Sequence, residues 1–120
     1  MIPSSESKPL TVAIRQQLAA YCRNKRLRSA EFKNDRPIDW QPGNVIDPDT
    51  NCGFTEGKAW NFIADLLDAN HDVEIVELKM PPGKLGYVMK KEMPDGRTVY
   101  IKLQLANTVI GRSFHYSYRE

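Results

Sequence analysis

The run Val99-Tyr100-Ile101-Lys102-Leu103-Gln104-Leu105 alternates apolar and polar residues without a break. A period of two belongs to a half-buried strand and to no helix. It puts Val99, Ile101, Leu103 and Leu105 against a core and leaves Tyr100, Lys102 and Gln104 on the opposite face. A single strand is not stable alone, so the flanking sequence has to supply partners. Upstream, Pro94-Asp95-Gly96 reads as a type I turn with a glycine bulge, entered from a strand over Gly86 to Lys91. Before that, Val73-Glu74-Ile75-Val76-Glu77-Leu78 reads as a strand stopped by Pro81-Pro82-Gly83. Downstream, a final strand is expected over Val109-Tyr118, so the last third of the chain reads as an antiparallel meander.

The register of that final strand decides which residues meet, because a slip of one residue exchanges the two faces. A two-residue turn at Asn107-Thr108 places Leu105 opposite Ile110, Ile101 opposite Phe114, Tyr100 opposite His115 and Lys102 opposite Ser113. A three-residue loop, Ala106 to Thr108, would instead put His115 on the core face and Phe114 outside, a poorer burial pattern. The two-residue turn is therefore expected. It leaves Arg112 with core parity, so either Arg112 escapes at a sheet edge or Gly111 introduces a bulge. Through the Pro94-Asp95-Gly96 turn, Lys90 is set opposite Tyr100 and Val88 opposite Lys102.

The sheet needs a cover, and the segment before it provides one. Trp60, Ile63, Ala64 and Leu67, flanked by Phe62 and Leu66, form a wide apolar helical stripe; Thr55 suits its N-cap, Glu56 its first turn and Asn70 its end. A shorter amphipathic helix is expected from Thr11 to about Arg26, with Ile14, Leu18, Tyr21 and Cys22 on one side. The cations near its end, Arg23, Lys25, Arg26 and Arg28, either suit its C-terminal dipole or contact RNA. Between the helices, residues 33 to 53 hold Pro37, Pro42, Gly43, Pro48 and Gly53, too many breakers for a long regular element. A long connecting segment is expected, draped on the core through Ile38, Trp40, Val45 and Ile46 or meeting a partner. The fold class is α+β: a small antiparallel sheet of three to four strands packed by an amphipathic helix, with an additional N-terminal helix. Residues 1–53 form the helix and connecting segment and residues 54–120 the α+β domain, within one compact unit.

At 120 residues the chain holds a single core. With 41% hydrophobic and 27% charged residues it is not a chain disordered throughout. No apolar run approaches the roughly 20 residues of a membrane helix, and the start lacks the order of a secretory signal, so a cytoplasmic protein is expected. Cys22 and Cys52 have no metal-ligand spacing and read as reduced thiols. No metal or cofactor is expected: glycine-rich phosphate loops and nucleophile motifs are missing from the sequence. His71 reads as a helix-end or surface residue. The net charge of +2 is too small to indicate nucleic acid, which responds to clustered cations. Such clustering does occur toward the C-terminus, where Lys79, Lys84, Lys90, Lys91, Arg97, Lys102, Arg112 and Arg119 accumulate.

On this register one face gathers Lys90, Tyr100, Lys102, Ser113 and His115. Cleaving RNA without a metal requires a base for the 2′-hydroxyl, an acid for the leaving oxygen and cations for the phosphorane. His115 is the natural proton carrier, Lys90 and Lys102 supply charge, and Tyr100 can hydrogen-bond a phosphate or stack on a base. Taken singly, each has a plainer account: charged residues on a sheet are ordinarily its solvated side, and tyrosine is a good strand residue. The weight comes from their convergence.

The order helix, strand, strand, then Val99-Tyr100-Ile101-Lys102-Leu103 and Ser113-Phe114-His115 resembles the RelE/MqsR-type messenger-RNA interferase toxins, most closely the MqsR branch, over roughly residues 55 to 118. The resemblance implies a small antiparallel sheet packed by helices, metal-independent cleavage of messenger RNA, and neutralisation by an antitoxin protein. It marks Tyr100 and His115 as functional positions; with the shared face taken into account, His115, Tyr100 and Lys102 are the expected catalytic residues and Lys79, Lys90, Arg112, Ser113 and Arg119 the expected substrate contacts. His115 stands where the family has a lysine, Gly86 or Tyr87 where the MqsR branch has a glutamine, and Lys79 is a loose match to the family's lysine before the meander. Two other classes of function stay open: a binding module without catalysis on the same basic face, and an interaction protein whose acidic connecting segment engages a partner.

Overall fold

The computed structural model describes residues 10–30, 39–79 and 82–117. Helix α1 spans Val12–Cys22. Its N-cap is Thr11, whose Oγ1 accepts a hydrogen bond from the Ile14 N–H at 3.1 Å, satisfying one of the unpaired donors of the first turn. The helix stops earlier than expected. The basic stretch beyond it is not the helix's last turn but a separate 3-10 turn, Lys25–Leu27, capped by Asn24. Arg23 instead crosses to helix α2, Glu56–Asp68, where it meets Asp65 at 2.9 Å and Asp68 at 2.7 Å. Those groups are exposed and contribute little. A half-buried link is made by Arg15, which donates to the carbonyls of Leu67 at 3.1 Å and His71 at 3.0 Å.

Helix α2 follows its sequence closely. Thr55 Oγ1 accepts from the Lys58 N–H at 3.2 Å, Trp60, Ile63, Ala64 and Leu67 are fully enclosed, and Asn70 closes the end at φ 63°.

In chain order the strands are β1 (Arg28–Ser29), β2 (Asp39–Trp40), β3 (Ile46–Asp47), β4 (Cys52–Gly53), β5 (Glu74–Glu77), β6 (Leu85–Glu92), β7 (Thr98–Leu105) and β8 (Val109–Tyr116). The last four form the expected meander in an α+β fold. The sheet is nevertheless mixed: β1 and β2 pair in parallel with β8, one after the other along its outer edge. β8 is thus an inner strand, flanked by β7 on its other side. The connecting segment is more ordered than a loop. After β2 it makes a 3-10 turn at Pro42–Asn44 and a small hairpin of β3 and β4. Trp40 and Val45 pack on the core as expected, whereas Ile46 is 37% exposed; Ile38 lies outside the described residues. Two of its acidic groups meet α2, Asp47 buried and Asp49 exposed: Lys58 Nζ lies 3.4 Å from Asp47 Oδ2 and 3.2 Å from Asp49 Oδ2.

One core unites Leu18 and Cys22 of α1, Trp60, Ile63 and Leu67 of α2, Met89 of β6, Val99, Ile101 and Leu103 of β7, and Val109 and Phe114 of β8. Around Phe114 stand Trp40, Phe54 and Phe62, with ring centroids 5.6, 5.4 and 6.3 Å away. The Glu56 carboxylate accepts from both indoles, from Trp60 Nε1 at 2.9 Å and from Trp40 Nε1 at 3.2 Å.

The Pro94-Asp95-Gly96 turn forms as expected: the Met93 N–H donates to the Arg97 carbonyl at 2.8 Å and Gly96 sits at φ 88°. Away from the tip, β7 and β8 also pair as expected, Ile101 with Phe114, Tyr100 with His115 and Lys102 with Ser113. The tip differs. Leu105 pairs with Val109 rather than with Ile110, so the loop is the three residues Ala106 to Thr108, closed by the Ala106 N–H to the Thr108 carbonyl at 2.8 Å. A bulge between Lys102 and Leu103 absorbs the difference, with Arg112 as the extra residue between Gly111 and Ser113. Gly111 makes room for this: a Cβ there would stand 2.4 Å from Trp40 Cζ3. The bulge turns Arg112 away from the core and onto the second face, while the wider loop leaves Phe114 buried.

Candidate active site

Alternation along β7 and β8 places Tyr100, Lys102, Gln104, Ser113 and His115 on the face away from the helices, and the bulge adds Arg112. The site is not a solvated charge layer. Gln104, Arg112, Ser113 and His115 are all buried, so each needs a polar partner to offset its lost hydration. Arg112 Nη1 donates to Gln104 Oε1 at 2.7 Å.

His115 stacks on Tyr100, with centroids 5.5 Å apart and planes inclined by 21°. Its Nδ1 is 2.7 Å from the Tyr116 carbonyl oxygen. A carbonyl only accepts, so Nδ1 carries a hydrogen, and Nε2 is the nitrogen that meets other groups. Nε2 faces Asp39 Oδ2 at 3.4 Å. Asp39 comes from β2, paired with Ser113 across the parallel ladder, and its other oxygen accepts from Gln41 Nε2.

The environment assigns different tendencies to the other two groups. Burial pushes the Tyr100 hydroxyl above the ordinary phenol range, and the nearby Glu74 carboxylate adds to this. Tyr100 is therefore a phenol at neutral pH, a donor rather than a phenolate base. Burial lowers the Lys102 ammonium, helped by Arg112 and then Lys79. A lysine so perturbed releases its proton more readily than a surface lysine. Arg112 and Lys79 are thus near enough to Lys102 to oppose its charge.

Lys90 pairs with Tyr100 as expected but is exposed. It lines an open cavity of about 350 Å³ with His71, Glu74 and Val88. His71 Nε2 meets the Lys90 carbonyl at 2.8 Å. Lys79 is exposed at the rim, and Arg119 lies outside the described residues. Asp39, Glu74 and Gln104 are the members that sequence reasoning missed. Gln104 carried a signal, since it shares the parity of Tyr100 and Lys102. Asp39 carried almost none: a two-residue strand is too short to show periodicity.

Among the described residues, no group of three or more His, Cys, Asp or Glu side chains is placed to hold a metal ion, and no helix is long and apolar enough to cross a membrane. Both cysteines are free thiols, and burial pushes Cys22 up to about 12. Comparison with protein-family models, with curated proteins and with solved structures finds no match to this chain.

Proposed function

We propose that the protein is a metal-independent endoribonuclease that cleaves messenger RNA in the cytoplasm, the toxin of a toxin–antitoxin pair. The observation that carries this reading is the joining of a stacked Tyr100–His115 pair to Lys102 and a buried Arg112 on one sheet face. The similarity of Val99-Tyr100-Ile101-Lys102 and Ser113-Phe114-His115 to the RelE/MqsR-type toxins supports it, and supports a protein antitoxin covering this face.

The reaction is an internal transesterification. Lys102, in the neutral-amine form that its burial favours over a surface lysine's, takes the 2′-hydroxyl proton as O2′ attacks phosphorus. The P–O5′ bond breaks, and His115 delivers a proton from Nε2 to O5′. Arg112 and Lys79 offset the charge of the phosphorane, and the Tyr100 hydroxyl donates to a non-bridging oxygen. The products are a 2′,3′-cyclic phosphate and a 5′-hydroxyl. The atoms balance without an external reactant.

The test is cleavage of a long single-stranded RNA by partner-free protein in the presence of EDTA. Fragments ending in 2′,3′-cyclic phosphate, with no cleavage at a 2′-deoxy position, are expected. RNA left intact, or bound without being cut, would overturn the reading.

A further inference from the structure

Among the described residues, the part of the chain before α2 reaches the proposed site through one dipeptide. β2 is only Asp39–Trp40, and alternation sends its two side chains to opposite faces of the sheet. Trp40 enters the core: its ring lies 4.8 Å from Trp60 and 5.6 Å from Phe114 and covers the side of Gly111 where a Cβ would stand. Its Nε1 is held by Glu56 at 3.2 Å. The Gln41 N–H then donates to the Phe114 carbonyl at 2.8 Å. With Asp39 itself in the β2–β8 ladder and the backbone fixed just after it, Asp39 has little choice of position. Its carboxylate is delivered to His115 Nε2, and the Gln41 amide orients it from the other oxygen.

We propose that Asp39 is a positioning residue of the ribonuclease site, a carboxylate that keeps the acid-bearing nitrogen of His115 aimed at the substrate, so that the segment before α2 is part of the active centre. The inference rests on the proposed ribonuclease function. At 3.4 Å the contact is longer than an ideal N–H···O bond, so Asp39 acts on the imidazolium chiefly through charge. The ring is constrained from three directions: the Tyr116 carbonyl fixes Nδ1, Tyr100 fixes the plane, and Asp39 opposes Nε2. Lys102 and Arg112 lie on the same face with the opposite charge. Asp39 is therefore the acidic counterweight to a cationic site.

The experiment compares full-length wild type with Asp39→Asn, which keeps the shape and removes the charge, and with Asp39→Glu, which keeps the charge. Single-turnover RNA cleavage, RNA affinity, Tm and the imidazole 15N resonances of His115 are read for each. Asp39→Asn should lose on the order of 10- to 100-fold in cleavage rate, the lower end of the coupling between close charge pairs. RNA affinity and Tm should hold, and the Nε2 resonance should move while Nδ1 stays. Asp39→Glu should recover most of the rate. An unchanged rate in Asp39→Asn, an unmoved Nε2 resonance, or a Glu variant as slow as Asn would overturn the proposal. Wild-type protein that does not cleave RNA brings down the ribonuclease reading, and this inference with it. An active wild type with an equally active Asp39→Asn overturns this inference alone.

Discussion

Phe114 and His115 are neighbours on one strand, both buried, and they are held in opposite ways. Phe114 faces the helices and packs among apolar groups, including the rings of Trp40, Phe54 and Phe62. His115 faces away and is held by a carbonyl, a carboxylate and a stacked phenol. Burial alone does not distinguish them. On the core face a side chain stabilises by the apolar area and contacts it contributes. On the second face a polar group first loses hydration and then recovers it through a specific partner, so its net contribution is small and its placement is what matters. A sheet with one face of each kind separates the requirements of folding from those of chemistry.

Substitutions that break this division in the core should have the largest effects. Phe114→Ala should cost about 3–5 kcal/mol by denaturant titration, the usual range for emptying an aromatic site. Gly111→Ala tests the seam between the faces. The added Cβ meets the Trp40 ring at 2.4 Å, and overpacking of this kind costs roughly 1–3 kcal/mol. Because Trp40 carries Asp39 with it, RNA cleavage should fall in Gly111→Ala even under conditions where the variant is fully folded.

On the second face the balance is expected to reverse. Arg112→Met removes a buried charge but keeps its length, and replacing buried ions by apolar groups is often neutral or stabilising. Its unfolding free energy should stay within about 1 kcal/mol of wild type, while RNA affinity falls and depends less on salt.

The smallest effect is a sign. Lys102 is lowered in the folded protein from its ordinary 10.5. Where the unfolded chain binds the proton and the folded one has begun to release it, stability rises with pH. The penalty is therefore complete at neutral pH and disappears as pH climbs through the lowered value toward 10.5. Lys102→Met should be more stable than wild type at pH 7, and the difference should shrink with rising pH. A difference that grows instead would mean that Lys102 is stabilised as a cation in the folded state.

The sequence made the meander legible because its periodicity is unambiguous: Val99, Ile101 and Leu103 could lie only on a core face, and the Pro94-Asp95-Gly96 turn set the β6–β7 register. Helix α2 was legible for the same reason. The turn after Leu105 was not, because two constraints competed locally. The loop took three residues, while Phe114 still needed burial, and the bulge at Arg112 reconciled them. Parallel pairing by β1 and β2 was beyond reach, since two-residue strands gain their stability from the sheet they join rather than from their own pattern. Asp39 was hidden with them. Of the expected site, Tyr100, Lys102, Ser113 and His115 were placed together by register alone; Arg112 joined them by a bulge that the parity conflict had already flagged.

The most direct test of the account removes a single oxygen from the second face. Tyr100→Phe keeps the ring that stacks on His115 and deletes the hydroxyl proposed to meet the phosphate. Its Tm should match wild type while RNA cleavage in EDTA falls by roughly 10- to 1000-fold, the range of a single transition-state hydrogen-bond donor. Cleavage at the wild-type rate by a fully folded Tyr100→Phe would contradict the account.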